Sequence, residues 1–148
     1  MAATQEFLKP SATEQLFNRV FGFLVGLGVA PSYCYVLQVR GRKTGKLYST
    51  PVNLLEMEGK GLLVAPRGRT QWVRNAEASG EVTLKRGSYQ KTFHLRAVES
   101  QEKLSALKAY LDQFRREVQR YFSVHAGSPP EAFAEVEERY PVFELLEF

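Results

Sequence analysis

The chain has 148 residues, 44% of them hydrophobic and 24% charged, which suits one globular domain over residues 11–148 and argues against disorder beyond a short arm at residues 1–10. A single cysteine, Cys34, excludes an internal disulfide and fits a reducing compartment. The net charge of +4 is uneven. Arg40 to Arg74 holds eight basic residues against two acids, a local +6 that leaves −2 for the remainder, and such a basic centre points to a local anionic ligand rather than to a general polyanion binder.

The N-terminal residues lack the basic and then apolar pattern of a secretory signal. Ser11 followed by Glu14 is a capping-box pattern, with Pro10 just outside. Leu16, Phe17, Val20, Phe21, Leu24 and Leu27 then recur at three- and four-residue steps, which predicts an amphipathic helix that Gly26 and Gly28 weaken and Pro31 closes. The longest uncharged apolar run, Val20 to Ala30, has 11 residues, short of the roughly 17–25 that span a bilayer. The expected location is cytoplasmic, with the N-terminal helix as a candidate for peripheral membrane contact and core packing as its plainer role.

A β-rich block follows. Tyr33 to Arg40 alternates as a strand, and GRKTGK is a glycine-bounded turn. Tyr48 to Met57 reads as one strand interrupted at Pro51. A turn at Glu58 to Gly61 leads into Leu62 to Ala65, and Thr70 is placed to cap a short helix over Gln71 to Ala78. Val82 to Lys85 and Tyr89 to Val98 form a hairpin through Arg86-Gly87-Ser88. Ser100 is placed to cap a long helix whose apolar face is Leu104, Leu107, Leu111, Phe114, Val118 and Phe122. A second helix is expected over about Glu131 to Arg139, and a terminal strand from Pro141. Short consecutive strands with helices outside them predict an α+β protein, a mainly antiparallel barrel with peripheral helices, rather than a doubly wound sheet.

Two basic turns stand out. In Arg40-Gly41-Arg42-Lys43-Thr44-Gly45-Lys46 the glycines let the backbone approach a ligand, Arg42 can fork onto a phosphate or carboxylate, and Lys43 is a mobile point charge. The spacing is not that of a Walker loop. The second turn, Arg67-Gly68-Arg69-Thr70, runs into the short helix that carries Trp72 and Asn75, and a helix N-terminus favours anions. A solvated charged hairpin and an ordinary core tryptophan are the plainer readings of these features. The late aromatic residues Tyr110, Tyr121, Phe122, Phe133 and Tyr140 read as helix core and surface rings. His94, His125 and Cys34 have no metal-ligand spacing, and no nucleophile stands beside a paired base. An anionic-ligand carrier or a barrel that binds single-stranded nucleic acid is also open to a basic segment with aromatics, although a nucleic-acid partner is not expected.

The stretch from Tyr35 to Val52, strand, GRKTG, then a strand entered through Pro51-Val52, resembles the core motif of the deazaflavin (coenzyme F420)-dependent nitroreductase family. The likeness continues through Leu62-Leu63-Val64-Ala65, the Arg67-Gly68 turn, Trp72-Val73-Arg74-Asn75 and the terminal strand, and covers about Leu16 to the C-terminus. It implies a split β-barrel related to flavin-reductase folds, and a small-molecule electron acceptor: a quinone, an enone or a nitro compound. The implied cofactor is coenzyme F420, whose tail carries a phosphate and glutamates; FMN on the same barrel is the alternative. The residues matching cofactor-binding positions are Arg42, Lys43, Thr44, Lys46, Pro51, Val52, Ala65, Arg67, Gly68, Trp72 and Asn75, with the first three at the tail and Trp72 and Asn75 on the helix beside the groove. Where the family usually carries an arginine shortly after its glycine turn, this chain has Tyr48, with Lys46 or Arg69 as candidates to replace the missing cation.

Overall fold

The computed structural model describes residues 31–148. The expected arm and the amphipathic helix from Ser11 lie outside the described residues. Seven antiparallel strands form one sheet: β1 (Cys34–Arg40), β2 (Leu47–Asn53), β3 (Leu55–Met57), β4 (Lys60–Val64), β5 (Glu81–Arg86), β6 (Tyr89–Ala97) and β7 (Val142–Leu146). Their spatial order is β2-β1-β5-β6-β7-β4-β3. β2 and β3 are therefore the two edges of the sheet, yet Leu54 alone separates them in sequence. The sheet must curl until its edges nearly meet, which makes it a half-barrel closed at one corner by that residue. The Leu54 N–H donates to the Tyr33 carbonyl at 2.8 Å and pins the corner.

The break between β2 and β3 falls at Leu54, whereas the sequence pattern places it at Pro51. Pro51 stays inside β2, opposite Val36. It is tolerated there because β2 is an edge strand, where a missing N–H costs no ladder bond on the open side. The turn from β3 to β4 is the two-residue Glu58-Gly59, with φ of 54° and 77°, the type I′ geometry that suits a tight hairpin.

Two helices pack on the sheet, α1 (Gln71–Ser79) and α2 (Ser100–Val118). α2 buries Leu104, Leu107, Leu111, Phe114 and Val118 against Leu55, Leu62, Val64 and Val142. On the barrel side, Leu37, Val39, Leu63, Val82, Leu84 and Phe93 pack with Ala76 of α1. β4 thus feeds both cores: Leu62 and Val64 face α2 while Leu63 faces the barrel, as the alternation of side chains along a strand requires. None of the described helices is long and apolar enough to cross a membrane.

Two local expectations are corrected. Glu99, not Ser100, is the N-cap of α2, and Ser100 takes a φ of 59°. Glu131 to Arg139 forms no α-helix. It makes two short 3-10 turns, Pro130–Phe133 and Glu137–Arg139, because Phe133 and Tyr140 are pulled into the α2 core and hold the chain too tightly for a continuous helical path. α1 ends on Gly80, with φ 78° and its N–H bonded to the Ala76 carbonyl. An alanine there meets open space but keeps the left-handed backbone, so Gly80→Ala should cost about 1–2 kcal/mol, read as a lowered urea midpoint with an unchanged slope.

Candidate functional site

A groove of about 850 Å³ opens between β2, the β4–α1 loop, α1 and the last turns of α2. Of the sequence-predicted site residues, Pro51, Val52, Ala65, Arg67, Gly68, Trp72 and Asn75 line it. β2 supplies Pro51 and Val52, the end of β4 leads into Ala65, and the turn after it brings Arg67 and Gly68 to the wall. The turn is closed by a Gly68 N–H to Ala65 carbonyl bond of 3.1 Å. Trp72 lies on the first turn of α1, T-shaped to Phe143 with ring centroids 6.1 Å apart, so the core anchors the indole on one side.

The β1–β2 hairpin is held against this groove by Asn75, which is 4% exposed and the only buried polar side chain among the described residues. Its Oδ1 accepts from the Arg42 backbone N–H at 3.0 Å and from the Arg42 guanidinium at 2.7 Å. Arg42 also donates to Gln71 at 3.0 Å. Arg42 therefore joins the groove rim through two lining residues without itself lining the cavity. Lys43, Thr44 and Lys46 are exposed on the hairpin beyond that rim and do not line the groove. Thr44 is turned inward on its own loop: its hydroxyl accepts from the Lys46 N–H at 3.1 Å and lies 3.2 Å from the Tyr48 hydroxyl.

Tyr48 itself lines the groove. Its ring crosses Gly41 so closely that a Cβ there would lie 2.5 Å from Cε2, and Gly41 is the residue that permits this approach. Tyr48 thus braces the hairpin where the family usually offers a cation. Of the two candidate replacements, Lys46 is outside the groove, and Arg69 is engaged with Glu77 at 2.6 Å.

Several lining residues were not singled out from sequence: Ser49, Thr50, Asn53, Gln71, Arg116, Glu117 and Arg120. Arg116 and Glu117 lie on the polar face of α2 and Arg120 in the 3-10 turn Gln119–Tyr121 that follows it, and their pattern is that of an ordinary solvated stripe. Tyr110 is both core and wall, 3% exposed and lining the groove. Tyr121 also lines it, with the Arg67 guanidinium 5.5 Å and the Arg120 guanidinium 4.8 Å from its ring. Phe122, Phe133 and Tyr140 belong to the core. His94 meets the Phe148 ring at a tilt, with centroids 3.8 Å apart, and neither His94 nor His125 lines the groove.

Among the described residues the groove is cationic, with Arg67, Arg116 and Arg120 against the one carboxylate of Glu117. The start of α1 adds to it. Its first-turn amides have no intrahelical partner and no acid stands in that turn. Thr70 occupies the N-cap, but its hydroxyl makes no capping bond and is buried without a hydrogen-bond partner. A buried hydroxyl left in this way is available to donate to an acceptor placed in the groove.

At the far end of β2, the Glu117 carboxylate accepts from the Tyr33 hydroxyl at 2.8 Å and from Asn53 Nδ2 at 2.6 Å. The Cys34 thiol donates to Asn53 Oδ1 at 3.4 Å. The bond to Glu117, helped by burial, pushes the Tyr33 phenol up to about 12. Burial, with the Glu117 charge, pushes the Cys34 thiol up to about 11. Both groups hold their protons more tightly folded than unfolded. The stability tied to Cys34 is therefore full below about pH 9, the ordinary thiol value, and is lost as pH rises through 11, while that tied to Tyr33 is lost between about 10 and 12. Native Cys34 should resist a thiol reagent at pH 8 and react fully after denaturation, and the urea midpoint should fall between pH 9 and 11.

A family model described as F420H(2)-dependent quinone reductase matches residues 15–127. The chain belongs to that family. It is an oxidoreductase, and its cofactor is coenzyme F420. Among solved structures, this F420H2-dependent quinone reductase family member is similar to an F420-H2 dependent reductase (FDR-A), at 21% identity and a TM-score of 0.52 over 77% of this chain and 94% of that one. A domain-swapped dimer matches at 21% identity and 0.55, over 90% and 92%. A heme binding protein from Mycobacterium smegmatis matches at 14% and 0.53, over 93% of this chain and 52% of that one. At these identities the solved structures establish the shared fold. Comparison with curated proteins finds no match.

Proposed function

We propose that this protein transfers a hydride from reduced coenzyme F420 to a small electron-poor acceptor, a quinone, an enone or a nitro compound. The observation that carries this reading is one groove joining a cationic, N–H-rich end to an aromatic and apolar wall. Arg67, the amide-bearing start of α1 and the unpartnered Thr70 hydroxyl suit a phosphate or carboxylate. Val52, Val64, Trp72, Tyr110 and Tyr121 suit a flat ring system.

In this reading Arg42, Lys43, Thr44 and Lys46 receive the acidic tail at the rim, with Arg42 preset by Asn75 and Gln71. Arg67 would flank the ring and stabilise negative charge as it develops, on a turn that the Gly68 N–H holds closed. Pro51, Val52 and Ala65 form the floor, and Trp72 screens the ring from water. When bound, F420 supplies the hydride, and the protein supplies orientation and field. The reduced acceptor also needs a proton. Solvent at the groove mouth or a lining hydroxyl supplies it, which accords with the absence of an acid–base pair from the sequence.

The test is a titration of the purified protein with F420, FMN and FAD, followed by addition of reduced F420 and a naphthoquinone. F420 should bind more tightly than either flavin, with oxidation of the reduced form above the rate without protein. Absence of F420 binding, or no oxidation above that background, would remove the reading.

A further inference from the structure

The groove runs along β2, and its two ends differ in charge. Leu47 pairs with Arg40 at the hairpin end of β2, and Asn53 pairs with Cys34 at the other. The lining residues Tyr48 and Asn53 are therefore separated by roughly 17 Å of extended strand. Arg42, Gln71 and Asn75 gather at the Tyr48 end. Glu117 sits at the Asn53 end, bonded to Asn53 itself.

Glu117 carries the one carboxylate among the described lining residues, against Arg67, Arg116 and Arg120, and the groups it bonds leave its charge in place. Its partners there, Tyr33 and Asn53, are neutral donors, and it takes part in none of the ion pairs among the described residues. Its neighbour Arg116 leaves α2 in a different direction, as adjacent helical residues do. Arg120 is turned onto Tyr121, donating to its hydroxyl at 2.7 Å. The field of Glu117 also reaches the cavity wall. Burial first, and then the Glu117 charge, holds the Tyr110 phenol above its ordinary range.

We propose that Glu117 determines acceptor specificity: its fixed negative charge at the Asn53 end of the groove admits neutral and cationic acceptors and turns away anionic ones, such as sulfonated or carboxylated quinones. This rests on the reductase reading above and adds the charge class of its acceptor. The two hydrogen bonds Glu117 accepts fix the carboxylate in place, so the discrimination is built into the apo groove and does not require bound cofactor.

Trp72, the only tryptophan, lines the groove, so quenching of its emission reports quinone binding without turnover. The probes are three naphthoquinones of one ring system, bearing no charge, a sulfonate or a quaternary ammonium. The wild type should bind the sulfonate about fivefold to tenfold more weakly than the neutral probe at low salt, and high salt should shrink that ratio. Glu117→Gln keeps an oxygen acceptor for Tyr33 or Asn53 and should bring the sulfonate-to-neutral ratio close to one. Glu117→Lys should invert it, and kcat/KM ratios with reduced F420 should move in parallel. A ratio unchanged in both variants overturns the proposal. Discrimination that survives in quenching, in a protein that fails to oxidise reduced F420 with any of the three quinones, supports the charge assignment while removing the reductase reading.

Discussion

Arg67→Ala should weaken binding of reduced F420 by about 10- to 100-fold, from the roughly 1.5–3 kcal/mol that a hydrogen bond to a charged group contributes. Arg67 is half-buried in the groove wall and lies over the Tyr121 ring, so its guanidinium is positioned before a ligand arrives and little freedom is lost on binding. Partial shielding from water makes each charged contact stronger there than on the open hairpin. Arg67→Lys, which keeps the charge but not the planar fork, should recover only part of the affinity. Titration at low and high salt checks the point, because the loss should be larger at low salt. An alanine variant that binds F420 as well as the wild type would take Arg67 out of the site.

Asn75→Leu should cost about 2–3 kcal/mol of stability, roughly 6–10 °C in melting temperature, and should weaken F420 binding as well. The side chain is buried, and both of its bonds to Arg42 are lost together. The Arg42 N–H is then left without its acceptor, and the hairpin loses its tie to α1. Asn75→Asp separates the two roles. A carboxylate still accepts from Arg42, so the melting temperature should stay near that of the wild type, but it sets a negative charge beside the anion-binding end, and F420 affinity should fall tenfold or more. Equal losses in both properties for both variants would mean that Asn75 acts on the fold alone.

Much of the site was legible because its parts are contiguous in sequence. The glycine-bounded hairpin, the Arg67-Gly68 turn and Trp72 to Asn75 are short motifs whose local geometry follows from turn chemistry and helix signals. Tyr48 was visible only as a departure from the expected cation. Its work, crossing Gly41 and bracing Thr44, depends on how the hairpin folds back on itself. Glu117 was not legible. It lies on the polar face of α2 and reaches Asn53 from 64 positions along the chain, and a carboxylate on a helical polar stripe carries no mark of its partner.

The same division holds for the fold. Period-two alternation, paired turn residues and the three- and four-residue spacing of α2 determine which segments are strands, hairpins and helix, and the basic segment announces an anionic ligand. These are local properties, fixed by what each residue does to its own stretch of backbone. Only the tertiary structure decides that β2 and β3 become opposite edges joined at Leu54, that Glu131 to Arg139 shortens to 3-10 turns around Phe133, and that the end of α2 closes the groove opposite α1. Alternation and spacing say that a face will be buried. Which distant surface buries it is settled by packing all the elements at once, and the groove is the space that packing leaves.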